Sequence, residues 1–145
     1  MSSFQFSLQK VLNVKEKNKE QEEYRYMEFF NHYLAEKEYL QRLIHEKQSL
    51  EEKMVSGQLN GVRISDIHHT QGYITHLTLT INGQEKKLDK LYSELELKQK
   101  MLLEIKKEVK IWDNLKEKKR EEFNLEENRN EQKELDDIAS LRSFR

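Results

Sequence analysis

The chain has 145 residues, of which 35% are hydrophobic and 37% charged, with 26 Lys and Arg set against 27 Asp and Glu. Ordinary globular domains are roughly 45–50% apolar and roughly 25% charged, so a compact two-layer core is excluded. A net charge of −1 lacks the cation excess of a nucleic-acid-binding face and the imbalance of a disordered chain, which leaves long helices packed as a thin bundle.

The first stretch, MSSFQFSLQKVLNVKEK, has no apolar run of signal-peptide type. No segment approaches the roughly 18 apolar residues of a membrane span, so no direct membrane insertion is expected. Cysteine is absent, which removes disulfides and thiolate chemistry and suits a cytoplasmic protein. Proline is absent too, and the four glycines are Gly57, Gly61, Gly72 and Gly83. Nothing therefore forces a helix to stop outside the middle of the chain.

The first predicted element is a helix over about residues 4–55. Steps of three and four trace a seam through Leu8, Leu12, Lys15, Lys19, Glu22, Tyr26, Phe29, Tyr33, Glu36, Leu40, Leu43, Lys47, Leu50 and Met54, nine of fourteen apolar. Its polar members cluster at Lys15, Lys19 and Glu22. A turn follows at about residues 56–63, where Gly57, Asn60 and Gly61 tolerate positive φ. Ser65 has the side chain of a helix N-cap.

The second helix is expected over about residues 64–140. Its seam runs Ile74, Leu77, Ile81, Gln84, Leu88, Leu91, Leu95, Lys98, Leu102, Ile105, Val109 and Trp112, ten of twelve apolar. Both seams keep the 3.5-residue repeat of a coiled coil. Two amphipathic helices joined by a short turn must run antiparallel. The predicted fold is therefore all-α, a long antiparallel two-helix coiled-coil hairpin in a single domain, with the C-terminal helix overhanging the first.

A reversal near residues 58–59 sets a register. Phe29 is expected opposite Leu88, Tyr26 opposite Leu91, Leu12 opposite Ile105 and Leu8 opposite Val109. Lys19 would meet Lys98, a poor layer that loosens the pair. The first helix then ends its cover of the second near Trp112, and residues 116–145 overhang as a solvated or flexible tail. From Lys116 to Arg142 that tail is charge-rich, with Phe123, Leu125, Leu135, Ile138 and Leu141 as its few large apolar residues.

Catalytic machinery is not expected. There is no Gly-rich phosphate loop and no nucleophile elbow. His69 and His76 stand seven apart, whereas ligand pairs on one helical face are usually three or four apart, so solvated surface is the reading and no metal or cofactor is predicted. A thin coiled coil offers no pocket to raise a carboxylate pKa. Tyr24, Phe30, Tyr39, Tyr73 and Tyr92 fall off the seams, where flanking rings pack on the partner helix or serve as contact surface. The same two readings hold for Phe4 and Phe6.

Two stretches carry a resemblance. FQFSLQKVLNVKEKNKEQEE, residues 4–23, resembles the start of the flagellar export protein FliJ family, and LKEKKREEFNLEENRNEQKELDDIA, residues 115–139, resembles its C-terminal segment. Length and the central heptads agree, so the similarity covers nearly the whole chain. It implies a non-enzymatic, cytoplasmic component of the bacterial flagellar type III export apparatus, peripheral to the cytoplasmic face of the cell membrane and serving motility. The implied role is a central stalk, monomeric alone, whose partners are the hexameric flagellar export ATPase, the membrane export gate protein and export chaperones. On that footing Phe4, Leu8, Lys118, Lys119, Arg120, Gln132, Leu135 and Ile138 are candidate ATPase-docking residues. Tyr39, Leu43 and Tyr73 are candidate export-gate contacts.

Rival readings are a prefoldin-like helical-hairpin holdase, an injectisome stalk protein and a coiled-coil oligomer paired between chains. A helical secretion substrate would carry its seam to the very end. The prefoldin reading needs β-hairpins between its helices, and residues 55–66 are too short for them, although TLTIN at residues 78–82 has strand-like composition.

Overall fold

The computed structural model describes residues 3–56 and 63–143, which form helices α1 (Gln9–Val55) and α2 (Ile64–Ser143) with no strand among them. Their contacts are those of an antiparallel helical hairpin. The expected turn glycines, Gly57 and Gly61, lie outside the described residues.

The start of the first helix and the cap of the second differ from expectation. α1 begins at Gln9 rather than near Phe4, and the Gln9 amide donates to the Phe6 carbonyl at 3.1 Å. α2 begins at Ile64, and the Arg63 carbonyl accepts from the amides of Asp66 and Ile67 at 3.0 and 3.2 Å. The residue whose carbonyl takes the first intrahelical bonds is the cap, so Arg63 holds that position and Ser65 sits inside the helix.

The TLTIN stretch is helical despite its composition. Thr75, Thr78 and Thr80 each turn the hydroxyl back to donate to the carbonyl four residues earlier, at 3.0, 2.9 and 2.9 Å. The hydroxyl is thereby satisfied within the helix, and tertiary packing of Leu77 and Ile81 overrides the β-propensity.

Gly72 and Gly83 lie within α2, where a built Cβ would meet nothing within 4 Å. Alanine at either site adds no clash and removes the entropy cost of glycine in a helix. We expect Gly72→Ala and Gly83→Ala each to raise stability by ~0.5–1 kcal/mol, read from urea midpoints. A fall in either midpoint would mean that the site needs its glycine.

Two compact units divide the described chain. The first, Glu23–Met101, has its core at Leu43, Leu77 and Ile81, with Leu40, Ile44 and Leu50 packed against it. Its α2 side buries Ile74, Leu77, Ile81, Gln84, Leu88 and Leu95, following the three-four alternation of the seam. Gln84 is only 7% exposed. Its Nε2 donates to the Glu36 carbonyl at 3.0 Å and to Glu36 Oε2 at 2.5 Å. Lys87 Nζ meets Glu36 Oε1 at 3.0 Å. A polar residue at a core layer is tolerated there because its donor is fully used across the helix pair.

The second unit joins Met1–Glu22 with Leu102–Arg145. Leu12, at 1% exposure, is its most deeply buried side chain, accompanied by Phe6, Leu102 and Val109. Lys15 pairs with Glu108 and lies 5.6 Å over the Trp112 ring.

The contacts run further along α2 than the expected register. Glu46 accepts from Tyr73, two residues beyond the expected level, and Tyr33 packs on Tyr92, eight beyond it. Phe29 takes the Lys98 ammonium at 5.1 Å, ten residues past the expected Leu88. Helical side chains tilt toward the N-terminus of their own helix. In an antiparallel pair the two tilts point opposite ways and account for an offset of about two residues; the larger offsets at Tyr92 and Lys98 correct the expected register, with α2 set further along α1 than a reversal near residues 58–59 indicates. The expected Lys19–Lys98 layer is replaced on the Lys98 side by a cation over an aromatic face, which converts a repulsive layer into an attractive contact.

Candidate functional site

Among the described residues no group of three or more His, Cys, Asp and Glu stands close enough to hold a metal ion. No helix of the described residues is long and apolar enough to cross a membrane. The candidate residues fall into the two units separately.

Phe4, Leu8, Lys118, Lys119, Arg120, Gln132, Leu135 and Ile138 all belong to the unit formed by Met1–Glu22 and Leu102–Arg145. They do not form one patch. Phe4 is half-buried, its ring centroid 5.7 Å from that of Phe123, and the Arg120 guanidinium lies 5.7 Å over the same Phe4 ring. Two of the candidates thus face each other.

Residues 3–8 form a strap along α2, anchored by half-buried Phe4 and buried Phe6. The cover of α2 consequently reaches Phe123 and ends near Glu127, rather than near Trp112; residues 128–143 are all exposed. The cover reaches this far because the non-helical residues before α1 carry Phe4 onto Phe123 and Arg120. Burying two phenyl side chains contributes ~3–6 kcal/mol, before discounting for the partial exposure of Phe4. Fixing six backbone residues costs ~6–12 kcal/mol. The Phe4–Phe123 pair and the Arg120 contact add ~1–2.5 kcal/mol, so the strap is held marginally at most and its balance leans toward opening.

Along the exposed tail, Lys119 pairs with Glu122 at 3.4 Å, Arg120 with Glu117 at 3.9 Å, and Gln132 donates to Asp136 at 3.1 Å. These i,i+3 and i,i+4 contacts are exposed and individually weak, so they support helix without fixing a surface. Leu135, Ile138 and Leu141 are exposed apolar side chains with spacings of three.

Tyr39, Leu43 and Tyr73 lie in the other unit, Glu23–Met101. Leu43 is 7% exposed and belongs to the core with Leu77 and Ile81, so it is corrected from a surface contact to a packing residue. It falls on the seam, and the same periodicity that suggested an apolar anchor places it inside. Tyr39 and Tyr73 are exposed. The Arg42 guanidinium lies 5.9 Å from the Tyr39 ring. Tyr73 donates its hydroxyl to Glu46 at 2.5 Å, which raises the phenol above its ordinary pKa because the bond and the carboxylate charge both favour the protonated form. In the same unit the Glu36 carboxyl is lowered, first by the Gln84 amide and then by Lys87, both of which favour its charged form.

Phe123 was the residue that spacing alone had in reach. It continues the α2 seam by alternating steps of three and four from Trp112, yet a register ending at Trp112 leaves it without a partner.

A model of the flagellar FliJ protein family matches residues 4–145. A flagellar FliJ protein of Bacillus subtilis (strain 168) is 30% identical over 142 residues, covering 98% of this chain and 96% of the relative. No solved structure matches.

Proposed function

The chain belongs to the flagellar FliJ protein family, and from that membership we propose that it is a non-catalytic component of flagellar protein export acting as a stalk for the export ATPase ring. In this reading the exposed part of α2 docks in the hexameric ATPase and promotes its assembly and activity. The turn-bearing region contacts the membrane export gate through Tyr39 and Tyr73, and export chaperones associate with the same protein at the cytoplasmic face of the cell membrane.

The observation that carries the docking reading is the exposure of every residue from 128 to 143 on a continuing helix. A helix that contributes nothing to its own chain's packing is stabilised by a partner or only by weak surface pairs. The run Lys116, Lys118, Lys119 and Arg120, with Leu135 and Ile138 beyond it, supplies cations and apolar anchors. Many such contacts together give affinity, since exposed ion pairs contribute under ~1 kcal/mol each.

The test is ATP hydrolysis by the cognate flagellar export ATPase with and without the full chain. Stimulation at stoichiometric protein is expected. No stimulation by a folded, helical sample would remove the stalk reading and bring the holdase alternative forward, to be checked by suppression of aggregation of an unfolded client.

A further inference from the structure

We propose that the strap formed by residues 3–8 is an autoinhibitory cover, which masks an aromatic face of α2 at Phe123, beside the exposed Arg120, until a partner displaces it. This rests on the proposed docking of α2 in the ATPase ring, and it adds a regulated step to that docking.

Three observations carry it. The strap is non-helical although a helix begins immediately after it, and it enters that helix through a turn closed by the Gln9 amide donating to the Phe6 carbonyl. It is held by aromatic contacts: Phe6 is buried, and Phe4 sits between Phe123 and the Arg120 guanidinium. The face it covers adjoins the fully exposed segment 128–143 on the same helix. A partner helix or loop that grips the exposed tail would therefore meet the strap at its next turn.

Strap closure is marginal, as argued above, so its opening is accessible without exposing buried Leu12 and Val109. Once the strap opens, the Phe123 ring is uncovered beside the already exposed Arg120, whose planar cation is released from the Phe4 ring. That pairing suits a protein surface bearing an aliphatic or aromatic side chain next to a carboxylate, because Arg stacks on rings and pairs with carboxylates bidentately. Aromatic and Arg side chains of this kind dominate the energetics of protein interfaces.

The experiment compares the full chain, the Phe4→Ala/Phe6→Ala variant and the same variant carrying Phe123→Ala, each by binding to the cognate export ATPase and by amide hydrogen exchange at residues 116–127. The strap variant is expected to exchange faster across 116–127 and to bind three- to tenfold more tightly. Adding Phe123→Ala is expected to abolish that gain. Faster exchange with unchanged or weaker binding overturns the masking inference alone, since the strap would then be a structural cap or a direct contact. Unchanged exchange overturns it as well, because nothing would have been uncovered. Absence of binding by all three, each of them helical, overturns the docking reading and this inference together.

Discussion

Truncation after Glu127 is expected to leave the helical hairpin intact and to lower affinity for the export ATPase at least tenfold. Residues 128–143 are exposed throughout, so removing them takes no side chain from either core. The melting temperature should stay within about 2 °C, as expected when a deletion stays near the ±0.5 kcal/mol typical of surface changes. What disappears is the apolar set Leu135, Ile138 and Leu141 with the surrounding charges. Full burial of one such side chain in an interface is worth ~1.5–3 kcal/mol, and tenfold in affinity is about 1.4 kcal/mol. One productive anchor therefore suffices for the expected loss. Circular dichroism checks the fold and calorimetric titration the affinity; unchanged affinity would move the ring contact elsewhere. A cut after Trp112 is a poorer test, because it also removes Phe123 and with it the seat of Phe4.

Leu77→Ala is expected to be the most damaging of the simple truncations in the Glu23–Met101 unit. Leu77 is 2% exposed and packs with Leu43 and Ile81. A two-helix pair has no second layer to close over a lost side chain. The cost should fall at ~2–5 kcal/mol, the range for buried Leu to Ala, and the melting temperature should drop roughly 5–15 °C. Leu79, two residues along the same helix, is exposed, and Leu79→Ala should change stability by no more than ~0.5 kcal/mol. Similar losses at both positions would show that α2 presents a different face to α1.

These two leucines mark what was legible from spacing. The alternation through Ile74, Leu77, Ile81, Gln84, Leu88 and Leu95 follows from helical geometry, and all six are buried as that geometry requires. Gln84 fits the pattern by position and breaks it by chemistry. Its tolerance depends on the Glu36 carbonyl and carboxylate across the pair, a feature with no local signature. The docking candidates were legible as a charged, sparsely apolar helix. That Phe4 and Arg120 meet each other was not, since the residues lie more than one hundred positions apart. Leu43 shows the opposite failure: its spacing was read correctly as a seam position, and its role as a contact ignored that a seam is interior.

By itself the sequence determined the helical fold, the hairpin, the side of each helix that turns inward and the family. Those follow from residue spacing, chain reversal and motifs, all of them properties carried along the chain. Only the tertiary structure decided the partners of the seam lysines, the offset of the side-chain contacts and the point where cover of α2 ends. The physical reason is common to all three: which atoms meet across an antiparallel pair depends on how far one backbone is set along the other, on the tilt and length of the opposing side chains, and on the non-helical residues 3–6, none of which a count of heptads contains.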